Sequence, residues 1–297
     1  MKQSRNALER PEFWQQAWEE ARRASVYMKR RIRSSEEAIE FWNKCAPDYG
    51  KNTSNETGHF NKIMELFRQE QIITPETEVL DVGCGPGTYA LPFAKEVKSV
   101  TALDGAIEMC RILEQKVEEL GLDNIQVIHR LWEELDIEKE GLAEKFDLVF
   151  ASMTPAVSDF ETLDKLNQAS SKYCCLITRA GGNFGHERKE LWKLLFNEED
   201  TGSGHESNII FPFNLLFCAG YYPTIRYLDF ESVREQSLEE AIDSLCRSFW
   251  LYTEITPEVS STITRYVQEN AVGNVYRQES KSRLGVMVWR VDERRNH

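Results

Sequence analysis

Hydrophobic positions near the start of the chain recur at helical spacing. Trp14, Trp18, Ala21, Met28 and Ile32 fall on one stripe at spacings of three, four and seven, which predicts a helix over residues 11–33 with Pro11 in its first turn. A second helix is predicted over residues 35–45, capped by Ser34 or Ser35 with Glu37 in its first turn. The stretch "APDYGKNTSNETG" is polar and turn-rich, and reads as a connection to a third helix over about residues 60–69.

At residue 79 the pattern changes. Short apolar runs at 79–82, 99–103, 125–129, 146–151 and 173–178 alternate with helical patterns at 88–96, 106–120 and 163–170. Strands alternating with helices at this spacing predict βαβ units and a parallel sheet. The strands lack polar alternation, as expected when helices cover both faces. The fold class is therefore α/β, doubly wound. After Gly182 the regularity loosens. Helices are predicted over 187–196, 237–252 and 257–270, a loop over "NEEDTGSGHES", a strand over 224–230 and a last strand over 284–291. Ser237 can cap the helix that follows it, with Glu239 and Glu240 in the first turn.

Composition narrows the function classes. With 297 residues and 41% hydrophobic content the chain can bury a sizeable core. A formal net charge of −13 argues against nucleic acid and anionic membranes as partners of the whole surface. Only Arg22, Arg23, Lys29, Arg30, Arg31 and Arg33 form a basic run, which reads as a solvated helix face or as a dock for an anionic group or RNA. Seven cysteines without a C-x-x-C pair point to a reducing cytoplasm, with neither disulfides nor zinc. The uncharged run 207–225 is interrupted by Pro212 and Pro223, so it predicts a core or pocket lining rather than a membrane span.

The chemistry is concentrated in "VLDVGCGPGTYALPFA", a strand, a glycine turn and a helix. Its glycines, Gly83, Gly85 and Gly87, are spaced G-x-G-x-G, and Thr88 occupies the position of the last dinucleotide glycine. No Gly-Lys-Ser/Thr follows, so a phosphate loop is also excluded. Asp81 stands two residues before the first glycine, a poor neighbour for pyrophosphate and a good one for a cationic ligand. Asp104 follows Gly83 by 21 residues (104 minus 83), the spacing at which a carboxylate accepts from ribose hydroxyls.

Together with "VTALDGAIEM" and "FDLVFASM", in this order, the stretch resembles the class I S-adenosylmethionine-dependent methyltransferases over about residues 78–180. The resemblance implies a mostly parallel seven-stranded sheet whose last strand is antiparallel, and S-adenosylmethionine as cofactor. It implies that Gly83, Cys84 and Gly85 approach the methionine part and ribose, and that Asp81 meets the amino group. It places Asp104 on the ribose, Gly105 and Ala106 beside the adenine, and Ala151 and Ser152 at the methionine end. Where many members carry an aspartate after the third strand this chain has Leu131, so Trp132 and Glu133 are the expected adenine contacts. "EFWNKCAPDYG" resembles a pre-core segment whose tyrosine, here Tyr49, closes over the cofactor.

The expected organisation is a helical lid over residues 1–60 and a methyltransferase domain over 61–297. Accessory helical segments at about 183–220 and 231–275 would wall the substrate side. The acceptor expected is a small molecule, because "SMTP" replaces the "NPPY" of amide- and base-directed members. An RNA- or protein-directed enzyme docking through the basic helix, and a non-catalytic cofactor binder, are the alternatives. The candidates for catalysis are Tyr49, His186 and His205, the two histidines each lying in a "GHE". Their ordinary reading is a lid-packing tyrosine and exposed histidines.

Overall fold

The computed structural model describes residues 6–52, 58–183, 186–199 and 208–294. Its N-terminal part is helical: α1 (Pro11–Ala24), α2 (Val26–Arg30), α3 (Ser35–Asn52) and α4 (Gly58–Gln69). The helix expected over 11–33 is broken at Ser25, which takes φ −57° and ψ 130°. Trp18 is buried, but Met28 and Ile32, beyond the break, are exposed. Ser34 caps α3 in exchange with Glu37. The turn-rich stretch after Cys45 is helical as far as Asn52, with Pro47 inside the helix. Tertiary contact explains this: Ala46 packs on Ala106 and Met109, and the Gly50 carbonyl accepts from Lys116 Nζ at 3.0 Å. Residues 53–57 of that stretch lie outside the described residues.

The remaining elements alternate as the pattern predicts. They are β1 (Glu78–Val82), α5 (Ala90–Ala94), β2 (Ser99–Asp104), α6 (Ile107–Leu120), β3 (Ile125–His129), β4 (Phe146–Ser152), α7 (Phe160–Ala169), β5 (Ser170–Asn183), α8 (His186–Phe196), α9 (Ile210–Cys218), β6 (Thr224–Ser237), α10 (Leu238–Phe249), α11 (Pro257–Glu269) and β7 (Val275–Arg290). The described strands form one seven-stranded sheet in the order β3-β2-β1-β4-β5-β7-β6. β7 alone runs against the direction of the other six described strands. One face is covered by α1, α7 and α9 through Trp18, Leu163, Leu166, Leu215 and Leu216. The other is covered by α4, α5 and α6 through Ile63, Phe67, Phe93 and Leu113.

The last three strands are longer than their apolar runs suggest. β4 stops at Ser152, opposite Ile177, while β5 continues to Asn183 beside β7. β6 and β7 stay paired out to Ser237 and Val275. The segment 231–237, expected within an accessory helical region, is therefore strand. Its outer face is charged, and the ladder is closed by cross-strand pairs: Arg283 with Asp229 at 2.6 Å and Lys281 with Glu231 at 2.7 Å. Over this extension α8, α10 and α11 form a further core around Trp192, Phe249, Tyr266 and Tyr276. No helix among the described residues is long and apolar enough to cross a membrane.

Candidate active site

The site is built where β1 and β2 end. Val82 leads into Gly83, Gly85 and Gly87, all at positive φ (69°, 54° and 90°). The turn is pinned to β2, since Gly83 N and Cys84 N both donate to the Leu103 carbonyl, at 2.7 and 3.0 Å. Each glycine has its own reason. A Cβ on Gly83 would meet Thr154 Oγ1 at 2.1 Å, and one on Gly87 would meet Leu113 at 2.5 Å. A Cβ on Gly85 would meet nothing within 4 Å, so the open side of the turn lies there. The Cys84 side chain is buried under the turn, and burial pushes its thiol pKa well up.

Asp104 braces the turn from the next strand. Its Oδ2 accepts from Gly85 N and its Oδ1 from Ala106 N, both at 2.8 Å. One lone pair on each oxygen is still available to a ligand hydroxyl. Asp81 is 2% exposed and its Oδ2 has no hydrogen-bond partner. Burial first, and the charge of Asp104 second, push its carboxyl up to about 8. An unpartnered buried carboxylate oxygen beside a second carboxylate is a place for a cation.

Gly105 owes its identity to Leu131, whose Cδ2 a Cβ would meet at 2.5 Å. Ala106 is buried against α3. Asn43 Oδ1 of that helix accepts from Glu108 N at 3.1 Å, so α3 closes directly over the end of β2. Tyr49 follows on α3, half exposed, with its ring edge-on to Trp42 at 5.9 Å. On the β4 side Ala151 is wholly buried, leaving its backbone to the site. Ser152 hydrogen-bonds the buried Tyr89 hydroxyl. Met153 then takes φ 50° and remains exposed.

One expectation changes. Trp132 is 1% exposed in the core and its indole N–H donates to the Thr162 carbonyl at 2.9 Å. It is a core tryptophan, with neither face nor N–H presented to an adenine. Glu133 is exposed beside it, and its carbonyl accepts from Lys165 Nζ at 2.7 Å. His186 lies exposed in the first turn of α8, 3.5 Å from Glu190, and His205 falls outside the described residues. Two residues beside the turn were not assigned to it from the sequence: Tyr89, inside the motif but read only as helix, and Thr154, in the "SMTP" that follows β4. The G-x-G-x-G turn itself signalled the second, because something must fill the space that a side chain on Gly83 would need.

Residues 79–171 match the family of methyltransferase domains, and this is the segment that carries the turn, both carboxylates and β4. Over this segment the chain matches methyltransferase domains, in agreement with its resemblance to the class I S-adenosylmethionine-dependent enzymes. Three relatives give the range. An uncharacterised Haemophilus influenzae protein is 24% identical over 84% of this chain and 89% of its own length. The ribosomal RNA small subunit methyltransferase G of Clostridium perfringens is 32% identical over 42% of the chain, and the chain spans about half (48%) of that enzyme's length. A Bacillus halodurans chain assigned as a methyltransferase superposes with a TM-score of 0.50 over 78% of this chain and 98% of its own, at 17% identity, which establishes the shared fold. S-adenosylmethionine is the cofactor that the family match implies. The groups at the strand ends suit that cofactor: an orphaned carboxylate oxygen for an ammonium, a carboxylate with spare lone pairs for a ribose, and a glycine cradle with one open side.

Proposed function

We propose that the acceptor is a small molecule. The observation that carries this reading is the set of further elements docked beside the strand ends. α3 is docked on α6, the projecting β5–β7 carries α8, α10 and α11 above it, and Asp48 of α3 is ion-paired with Arg247 of α10. Elements docked in this way favour a small acceptor over a folded macromolecule. The reading includes the division into an N-terminal lid and a methyltransferase domain with accessory segments. It also includes a cytoplasmic setting, in keeping with seven free cysteines.

The site residues take these parts. Asp81 receives the cofactor's ammonium, and Gly83, Cys84 and Gly85 give it backbone contact. Asp104 holds the ribose hydroxyls. Gly105 and Ala106 flank the adenine, and Glu133 is the acceptor assigned to its amino group. Ala151 and Ser152 line the methionine end, and Tyr49 closes over the mouth. The bound cofactor supplies a methyl carbon already activated by the sulfonium charge. The chain's own work is to align an acceptor atom with that carbon and to exclude water, and alignment alone is worth about 7–11 kcal/mol of barrier. Desolvation raises the pKa of the Tyr49 hydroxyl above its ordinary value, so at neutral pH it donates a hydrogen bond rather than serving as a base.

Isothermal titration with S-adenosylmethionine tests the cofactor half of this reading, and absence of heat at millimolar cofactor sinks it. A second reading is an RNA acceptor, favoured by the 32% identity to a ribosomal RNA methyltransferase. Against it, Arg22 donates to the Ser158 carbonyl at 2.9 Å, Arg30 pairs with Glu198 at 2.7 Å, and Arg33 pairs with Glu254 at 2.8 Å. The basic run thus ties the N-terminal helices to the rest of the chain. An RNA gel shift at low salt that disappears on charge reversal of Arg30 and Arg31 decides for RNA; no shift decides for the small molecule.

A further inference from the structure

α6 has no cap of its own. Its N-cap position is Ala106, whose side chain cannot accept a hydrogen bond. Burial leaves that position to a small residue: Ala106 is 3% exposed and packs on the wholly buried Ala46 of α3. The cap comes from α3 instead. Asn43 Oδ1 accepts from Glu108 N at 3.1 Å, one of the first-turn donors that a helix cannot satisfy itself. The Asn43 amide is oriented for this role, since its Nδ2 donates to Glu40 Oε2 at 3.3 Å and leaves the oxygen for α6.

This tie is made at the cofactor site. Ala106 follows Asp104 and Gly105, the residues assigned above to the ribose and the adenine. From the sheet side the loop is already held. Asp104 Oδ1 accepts from Ala106 N, His129 Nε2 of β3 donates to the Gly105 carbonyl at 3.0 Å, and Cys110 Sγ donates to the Asp104 carbonyl at 3.7 Å. Asn43 is therefore not needed to shape the loop; what it joins to the loop is α3. Beside it on α3, Trp42 packs on the cluster of Ala46 and Ala106, and Tyr49 meets the Trp42 ring edge-on. Two turns beyond Asn43 a Cβ on Gly50 would meet Ile112 Cγ2 at 3.2 Å, and the Gly50 carbonyl accepts from Lys116 Nζ. Asn43 thus ties the helix that carries Trp42 and Tyr49 to the loop that follows the ribose carboxylate.

We propose that Asn43 is a positioning residue for the cofactor: its hydrogen bond to Glu108 N holds α3 docked on α6, and the adenosine end of the site is complete only while α3 is docked. The proposal rests on the S-adenosylmethionine reading above. It makes the apparent affinity equal to the intrinsic affinity scaled by the docked fraction, so loosening α3 weakens the cofactor although Asn43 acts only through Glu108 N and α3. A cap with a purely structural role lowers the melting temperature and leaves α3 docking and cofactor affinity unchanged.

S-adenosylhomocysteine is titrated into the full-length chain and three variants by calorimetry, and hydrogen exchange of α3 is followed with and without it. Asn43→Leu keeps the volume and removes the acceptor, Asn43→Ala removes both, and Asn43→Asp keeps the acceptor. Asn43→Leu and Asn43→Ala are expected to weaken S-adenosylhomocysteine about tenfold, the size of one lost cap. Asn43→Asp is expected to stay within about twofold of the native chain. In the free Asn43→Leu and Asn43→Ala proteins α3 is expected to exchange about tenfold faster than in the native chain, and saturation with S-adenosylhomocysteine is expected to restore the native rate. Asn43→Ala adds no bulk and carries the test by itself should Asn43→Leu fail to fold. Native affinity in the variants that lack the acceptor overturns the proposal, as does α3 exchange that stays fast in those variants at saturation. Equal weakening in Asn43→Asp overturns it as well, because the acceptor is then not what matters. Absence of binding by the native chain removes the cofactor reading together with this proposal, whereas unchanged affinity in the variants removes the proposal alone.

Discussion

Replacing Asp81 by asparagine gives the sharpest test of the site's electrostatics. The carboxyl is 2% exposed, has one oxygen without a partner, and keeps its proton up to about 8 instead of the ordinary 3.8. In the unfolded chain the same group is ionised above about pH 4. Between those limits the folded state binds one more proton than the unfolded state, so stability falls as pH rises through the window. Each pH unit costs about 1.4 kcal/mol, so the native protein is expected to lose about 3 kcal/mol relative to Asp81→Asn between about pH 5.5 and 8.5. Asp104, also raised by burial, acts with the same sign.

Urea unfolding of both proteins across that range, followed by tryptophan fluorescence, reads the difference directly. A gap between native and Asp81→Asn midpoints that stays constant with pH would refute the buried-proton argument. The same oxygen gives a second readout. An ammonium brought to it favours the ionised form, so binding of S-adenosylmethionine near pH 7 is expected to release up to about one proton. Titration in two buffers of different ionisation enthalpy measures that proton, and Asp81→Asn should abolish the release.

Gly83→Ala and Gly85→Ala are expected to separate folding from binding. The first drives a methyl into Thr154 at 2.1 Å and should cost about 2–3 kcal/mol of stability by denaturant melt; the second meets nothing and should cost about 1 kcal/mol while weakening the cofactor by titration. Trp132→Phe leaves the Thr162 carbonyl without its donor and should lower stability by about 1–3 kcal/mol with cofactor affinity unchanged; a large loss of affinity would restore the adenine contact. Asp48→Asn breaks the pair joining α3 to α10. It should speed hydrogen exchange in α3 while costing less than about 1 kcal/mol of global stability, because both partners are partly solvated.

Local pattern was enough for the sheet and the turn. The apolar runs at β1, β4 and β5 are buried on both faces, so their hydrophobicity is continuous and readable without partners. The glycine spacing and the acidic residue at the end of β2 are set by backbone geometry within a few residues, which is why Asp81, Gly83, Gly85 and Asp104 were legible as a group. The capping serines at 34 and 237 are equally local.

What the sequence alone did not determine are features whose cause lies far along the chain. The outer halves of β6 and β7 lie beyond the strands expected at 224–230 and 284–291 because their residues are charged, and they are strands because Asp229 and Glu231 meet Arg283 and Lys281 across more than forty intervening positions. α3 continues through Pro47 because α6 receives it. Trp132 has the composition of a base-stacking residue, and only the presence of the Thr162 carbonyl makes it a core one. The same holds for the basic run, uniform in sequence, in which Arg22 of α1, Arg30 of α2 and Arg33 beyond it are answered by Ser158, Glu198 and Glu254. A sequence records what each residue offers. Whether an offered charge, donor or face is taken up within the chain or remains for a ligand depends on the partner that folding brings to it, and that is a property of the tertiary structure.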